Sequence, residues 1–466
     1  MLNRNCPRRR LARQTARLSK NRALLLGLLT LLSGGVPTYA AGLLQLADDA
    51  FSNDAKLASA EAAYRAGLEK EPEARGALLP HLSFTESTFR NTVNVPGQPA
   101  AGYSTVGSTL SLNQSVFKWD DWQIYQQSRL SVMASGLAFA SAKQDATLRV
   151  SQAYFDALGA KDTFLLAQEH QRSVAEQLAL TQRTFSLGAA TVVDLDEGQA
   201  AADAAVADLA HAQGDLATRY AALQKIVGHP VDGLDPLNDD AALSLSISQP
   251  IENWVSDAET SGLDVRQQQI ALEIARREIS KVNAGFMPSI SIVGNVSHGN
   301  AAFINGQTNF NTGANRATSG EVGIQISIPL FDGFSTTSRK REALALRDKA
   351  DHDLEDARRS AALDAQQAFF GVRDGLAQVS ALRTAQRSAE TALRSNRKGF
   401  KVGVRINADV LNAEDKLFST RRDLSKARYD TLMQFLHLKA SVAQLDGTTL
   451  AQLVGSSDGQ PEQPNK

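Results

Sequence analysis

The sequence predicts a mixed α and β membrane protein, duplicated within the chain, whose long helices and short strands complete their packing only on assembly. Three observations predict this. Two stretches free of proline have helix-forming composition, one half of the chain repeats the other, and short alternating strands lie between prolines.

The first forty residues are set apart as a signal peptide. Arg4, Arg8, Arg9, Arg10, Arg13, Arg17, Lys20 and Arg22 form a cationic start without an acid. The apolar run Ala23 to Leu32 follows, then Thr38-Tyr39-Ala40 with small residues at the cleavage positions. That run is too short to span a bilayer, which favours a removed leader over a membrane helix. A basic arm for nucleic acid is the competing reading. It fits poorly with the rest of the chain: the whole carries a formal charge of −1, and the eight leader cations leave the remainder near −9. Nucleic acid is therefore not an expected partner.

The single cysteine, Cys6, lies in the leader, so the exported chain forms no disulfide, thiolate metal site or lipid anchor on an N-terminal cysteine. No later stretch is apolar enough for a membrane helix. Entry into a membrane would have to use strands of a closed barrel.

No proline occurs from Ala101 to His229 or from Leu330 to Gln460, and both stretches are rich in Ala, Leu, Gln, Arg, Asp and Glu. They are copies. Ser151-Gln152-Ala153-Tyr154-Phe155 matches Gln366-Gln367-Ala368-Phe369-Phe370, and Arg183-Thr184-Phe185-Ser186-Leu187-Gly188 matches Lys398-Gly399-Phe400-Lys401-Val402-Gly403. Asp194 falls opposite Asp409, and Gln199 opposite Glu414. An offset of about 215 residues kept over so many segments reads as a tandem duplication. The expected organisation is residues 41–230 as first repeat, 231–250 as linker and equatorial segment, 251–450 as second repeat, and 451–466 as a disordered tail.

Within each copy the order is helix, two strands, very long helix, glycine break, helix. Asp121 to Leu187 would reach roughly 100 Å at about 1.5 Å per residue. Gly333 to Val402 is its counterpart. Gly188 and Gly403 are the tip turns, where a left-handed residue reverses the chain. Thr191 and Asn407 are expected to cap the return helices. Helices this long need neighbours along their whole length, which argues for an assembled bundle or barrel.

Glu321 to Ile328 alternates with Val322, Ile324, Ile326 and Ile328 on one face. Ser108 to Asn113 does so more weakly, and the strand partners are Leu82 to Asn91 and Ser289 to His298. This is the pattern of a membrane barrel with a wet interior; a soluble β-hairpin domain is the alternative. The polar segments Asn94 to Tyr103 and Asn300 to Thr318 would be outer loops. Trp119 and Trp122, with Phe331 and Phe334 opposite them in the repeat, suit a membrane-interface belt or packing at a strand-to-helix junction. Four strands cannot close a membrane barrel, so strands in the membrane would force oligomerisation.

Four segments resemble the TolC family of outer-membrane factors: Ala74 to Pro80, Ser327 to Gly333, Gly399 to Gly403 followed by Asp409-Val410-Leu411, and Leu424 to Asp430. Their order together with the duplication carries the resemblance from Leu43 to about Leu445. It implies a homotrimeric channel-tunnel in the cell outer membrane and its lipid, with four strands per subunit making a 12-stranded β-barrel. A long α-helical coiled-coil barrel would continue it through the periplasm. The implied partners are a periplasmic membrane-fusion adaptor and an inner-membrane transporter.

The resemblance also supplies candidate site residues. Asp409 and Asn412 match the acidic ring at the periplasmic entrance, with an amide in place of one acid. The other reading of Asp409 is a first-turn acid at the positive end of its helix. Arg405 matches the gate latch, with Asp194 its acidic partner. Phe400 replaces a tyrosine and cannot supply a hydroxyl, and Asp196 lies close enough in sequence to help. A solvated Arg405 without a fixed partner is the alternative.

Enzymatic chemistry is not expected. The seven histidines are scattered, and no hydrolase, zinc-protease or phosphate-loop motif occurs, so no cofactor or metal is implied. Cargo remains between protein, by type I secretion, and small molecules, by efflux. A trimeric adhesin would want its four strands together at the C-terminus, and a soluble periplasmic coiled-coil adaptor would not need alternating strands.

Overall fold

The computed structural model describes residues 42–94, 96–97, 101–237, 242–243, 245, 247, 249–300 and 316–455. The leader, the tail from 456 and most of the outer-loop segments lie outside the described residues. In chain order the elements are α1 (Leu43–Asn53), α2 (Ala55–Leu68), α3 (Lys70–Gly76), β1 (His81–Val93), β2 (Ala101–Phe117), α4 (Trp119–Ser186) and α5 (Val192–Val227). The second repeat adds α6 (Ile251–Ser261), α7 (Leu263–Asn283), β3 (Ser289–Asn300), β4 (Arg316–Ser327), α8 (Ser335–Lys401) and α9 (Asn407–Ser441). A final helix, α10 (Gly447–Gly455), follows. It carries helix past residue 450, because Leu450 and Leu453 pack into the main core.

The four strands make one antiparallel sheet in the order β1-β2-β3-β4. Its register aligns the two hairpins so that one face is apolar. Leu82 and Phe84 stand beside Leu112 and Leu110; Val296 follows Leu110, and Ile290 and Ile292 pair with Ile326 and Ile324. The other face carries Ser83, Thr85, Thr109, Ser111, Ser291, Asn295, Ser297 and Gln325 in matching rows. Both faces are largely open in the single chain, and Val322, Ile324 and Ile326 are exposed. An apolar face open to this extent needs lipid or protein against it. Further along the same face the rows turn polar at Glu86, Ser108, His298 and Thr318, so the apolar band ends before the strands do. β2 is longer than the sequence pattern predicts, and the loop after Asn94 is correspondingly short.

No described helix is long and apolar enough to cross a membrane. α4 has 68 residues and α8 has 67, each about 100 Å at 1.5 Å per residue. Both run from the sheet past a central core to the tips. That core gathers Leu43, Leu46, Val150, Tyr154, Phe155, Leu158, Leu432, Leu436 and Leu438. From there toward the tips, burial falls into a seven-residue stripe: Ala160, Ala167, Val174 and Thr181 on α4, Gly198, Ala205 and Ala212 on α5, and Ala365, Val372 and Val379 on α8. A strict seven-residue seam winds helices into left-handed coiled coils. On the sheet side, α8 instead buries Ala343, Leu354 and Ala365 at eleven-residue spacing, which does not impose that hand.

Candidate functional site at the helical tips

The two tips are built by the same local rule. Gly188 and Gly403 have φ of +73° and +75°, the left-handed conformation that glycine adopts without strain. In the first turn Ala189 N–H donates to the Thr184 carbonyl at 2.8 Å; in the second, Val404 N–H donates to the Gly399 carbonyl at 2.9 Å. These equivalent bonds close both long helices. Gly399 also lets Arg405 fold across it, since a Cβ there would lie 2.7 Å from the Arg405 Cγ.

The starts of the return helices differ. Thr191 caps α5: its Oγ1 accepts from the Asp194 backbone N–H at 3.1 Å, and Asp194 Oδ2 accepts from the Thr191 N–H at 2.9 Å and hydroxyl at 2.7 Å. These bonds hold the Asp194 carboxyl below its ordinary value of 3.8, the Thr191 hydroxyl contributing most. In the second repeat Ile406 occupies the capping position and has no side-chain acceptor. The expected cap, Asn407, is instead the first helical residue and is buried.

Released from a capping hydroxyl, Asp409 keeps a long contact of 3.4 Å from the Ile406 N–H and pairs with Arg405 at 3.5 Å, one turn away. Among the described residues of the single chain, Arg405 pairs with Asp409 and not with Asp194. Asp194 is engaged in its own cap, and Arg405, in the turn before α9, is drawn to the acid in that helix's first turn. Asp196 and Asn412 are exposed, and Phe400 is half-buried.

Above the tip, sequence reasoning missed a set of polar contacts. Glu414, 3% exposed, accepts from Arg397 at 2.7 Å, and Arg397 also donates to Ser173 of α4. Arg421 reaches Glu169 of α4 at 3.3 Å and Glu390 of α8 at 3.0 Å. His170 stacks on Phe418 and lies 3.2 Å from Asp415. Asn407, Glu414 and Arg421 recur every seven residues on α9. That spacing was available in the sequence, but which heptad position would be buried was not.

At the opposite end, the expected interface aromatics flank the sheet. Trp119 opens α4 directly after β2, and Trp122 is 43% exposed. Phe331 and Phe334 meet edge to face at 5.4 Å, with Phe331 77% exposed. Among the described residues no cluster of His, Cys, Asp or Glu could hold a metal.

The family model described as outer membrane efflux protein matches residues 46–229 and 254–444, one segment per repeat. The chain belongs to the outer membrane efflux protein family. It is 27% identical to the outer membrane protein TolC of Vibrio cholerae over 407 residues, 87% of this chain and 92% of that one. It is 30% identical to the alkaline protease secretion protein AprF of Pseudomonas aeruginosa over 421 residues, 88% of this chain and 86% of that one. Among solved structures it superposes on CusC, described as forming a transmembrane channel, with a TM-score of 0.75 at 19% identity, covering 86% of this chain and 91% of that one. The family places the protein in the outer membrane. It agrees with the fold expected from the sequence: a four-stranded sheet per chain continued by long helices.

Proposed function

We propose that three copies of this chain form an export duct. It would accept cargo from an inner-membrane transporter and a periplasmic adaptor and pass it across the periplasm and outer membrane. The observation that carries this is the sheet: four strands with one apolar face, one polar face and two unpaired edges, β1 and β4. Two copies would supply eight strands, a barrel whose interior side chains fill. Three supply twelve, with the polar rows lining a wet lumen.

At the tips, Leu187, Val192, Val193, Val402, Val404 and Ile406 are all exposed. This aliphatic rim supports docking of the adaptor there. Asp409 and Asn412 of three chains would ring the entrance, with Arg405 partly compensating each Asp409. Trp119, Trp122, Phe331 and Phe334 would mark the periplasmic membrane interface.

The cargo we infer is protein, by type I secretion, on the strength of the likeness to a protease secretion protein. Relatives named for efflux favour small molecules as the second reading. A host lacking its own channel, supplied with this chain, an ATP-driven protein exporter and its adaptor, should release the polypeptide substrate into the medium. Restored drug tolerance without polypeptide release would overturn the protein reading and leave the duct.

A further inference from the structure

Asn407 is 1% exposed, and its carboxamide bonds its own helix to two others. From α9, its Oδ1 accepts from Gln177 Nε2 at 2.8 Å and, at 3.2 Å, shares the Thr181 hydroxyl proton with the Gln177 carbonyl, both partners being on α4. Its Nδ2 donates to the Asp194 carbonyl on α5 at 3.3 Å. Gly198 of α5 leaves room beside it, since a Cβ there would come within 3.7 Å of Nδ2 and 3.3 Å of Leu178. The repeat counterpart, Val192, is exposed and makes no such bridge.

We propose that this carboxamide is the clasp holding the second repeat's tip on the first, and so keeping the inner end of the duct shut. It governs the entrance and rests on the channel reading above. Arg405 does not do this within the chain, because the acid it pairs with, Asp409, belongs to the same repeat. Asn407 can, because all three of its bonds run to the other repeat. A buried amide in a packed seam fixes register, since any slip strands a dry donor or acceptor. Each bond can also be exchanged for one to water when the helices part, so the clasp opens without leaving a polar group unpaired.

The test is the gating of the assembled protein in planar bilayers. Asn407→Leu keeps the volume but strands the Gln177 amide until the tips separate. The fraction of time in a high-conductance state should rise about tenfold. Adding Gln177→Leu removes the stranded donor and should reverse only part of that rise, because the clasp itself is still missing. A second arm uses the absence of cysteine after Cys6. Thr181→Cys with Asn407→Cys should cross-link on oxidation, abolish the high-conductance state, and recover it with reductant. If Asn407→Leu does not assemble, the cysteine pair decides alone. Parental gating in Asn407→Leu, or a cross-linked pair that still opens, overturns the clasp. Insertion without current in both the parent and Asn407→Leu overturns the channel reading itself, and the clasp with it.

Discussion

The two long helices descend from one ancestral segment, yet they are buried differently. α4 packs against α1, α2, α3, α5, α7 and α9, whereas α8 packs against α6, α7 and α9. The matched aromatic pair shows the consequence. Tyr154 and Phe155 are enclosed, with Phe155 2% exposed and stacked on Tyr429. Phe369 is partly covered, and Phe370 is 41% exposed under the guanidinium of Arg373. Duplication thus produced one helix that completes the subunit and one that presents a face outward. In the closed barrel of helices proposed above, that second face would be the seam with the next copy.

This comparison can be broken first at the matched aromatics. Phe155→Ala should destabilise the subunit by about 3–5 kcal/mol, read as an early thermal transition in circular dichroism. Phe370→Ala should leave that transition nearly unchanged and lower the detergent concentration at which the assembly dissociates. Equal effects at the two positions would mean that α8 is not a seam.

The tips give a second contrast. Where the second repeat has Arg397 and buried Glu414, the first has Gln182 and Gln199. Arg397→Met leaves a buried carboxylate unpaired and should cost about 3 kcal/mol, whereas Gln182→Met should stay within about 0.5 kcal/mol. Denaturant midpoints of the two variants decide it.

The smallest effects belong to the helix starts. Thr191→Ala should cost about 1 kcal/mol locally, seen as faster amide exchange in the first turn of α5. Ile406→Ala, with no cap to lose, should not speed exchange at the start of α9. The lowered Asp194 carboxyl gives this a pH dependence. Its contribution is complete above the ordinary value of 3.8 and disappears as pH falls through the lower folded value, so protection at the α5 start, measured against the unstructured rate at the same pH, should drop only in acid. Asp409 is a sharper probe of the same difference, because it is not tied to a threonine. Asp409→Ala should reduce cation preference in bilayers, and Arg405→Ser should increase it by uncovering three carboxylates. Unchanged selectivity in both would make Asp409 only a helix-terminal acid.

The helices, their glycine turns and the duplication were legible because each is written locally. Proline absence over more than a hundred residues, a left-handed residue after each long helix and alternation in the strands need no tertiary information. Gly188 and Gly403 lie where that logic puts them. Asn407 and Arg405 did not yield to it. An asparagine before a helical run reads as a cap whether or not a neighbouring helix has a glutamine and a threonine to receive it. An arginine with two acids within reach goes to the one on its own turn, a choice the sequence does not rank. The burial of Glu414 depends likewise on which heptad face of α9 meets α8 and α4, and that is set by packing within and between the repeats.

The central claim is that this sheet closes only with two others like it. Light scattering of the full chain in detergent, corrected for bound detergent, measures that directly. The account predicts a single species of three times the mature subunit mass, with all its strand content. A monodisperse monomer that retains the same strand content would contradict it.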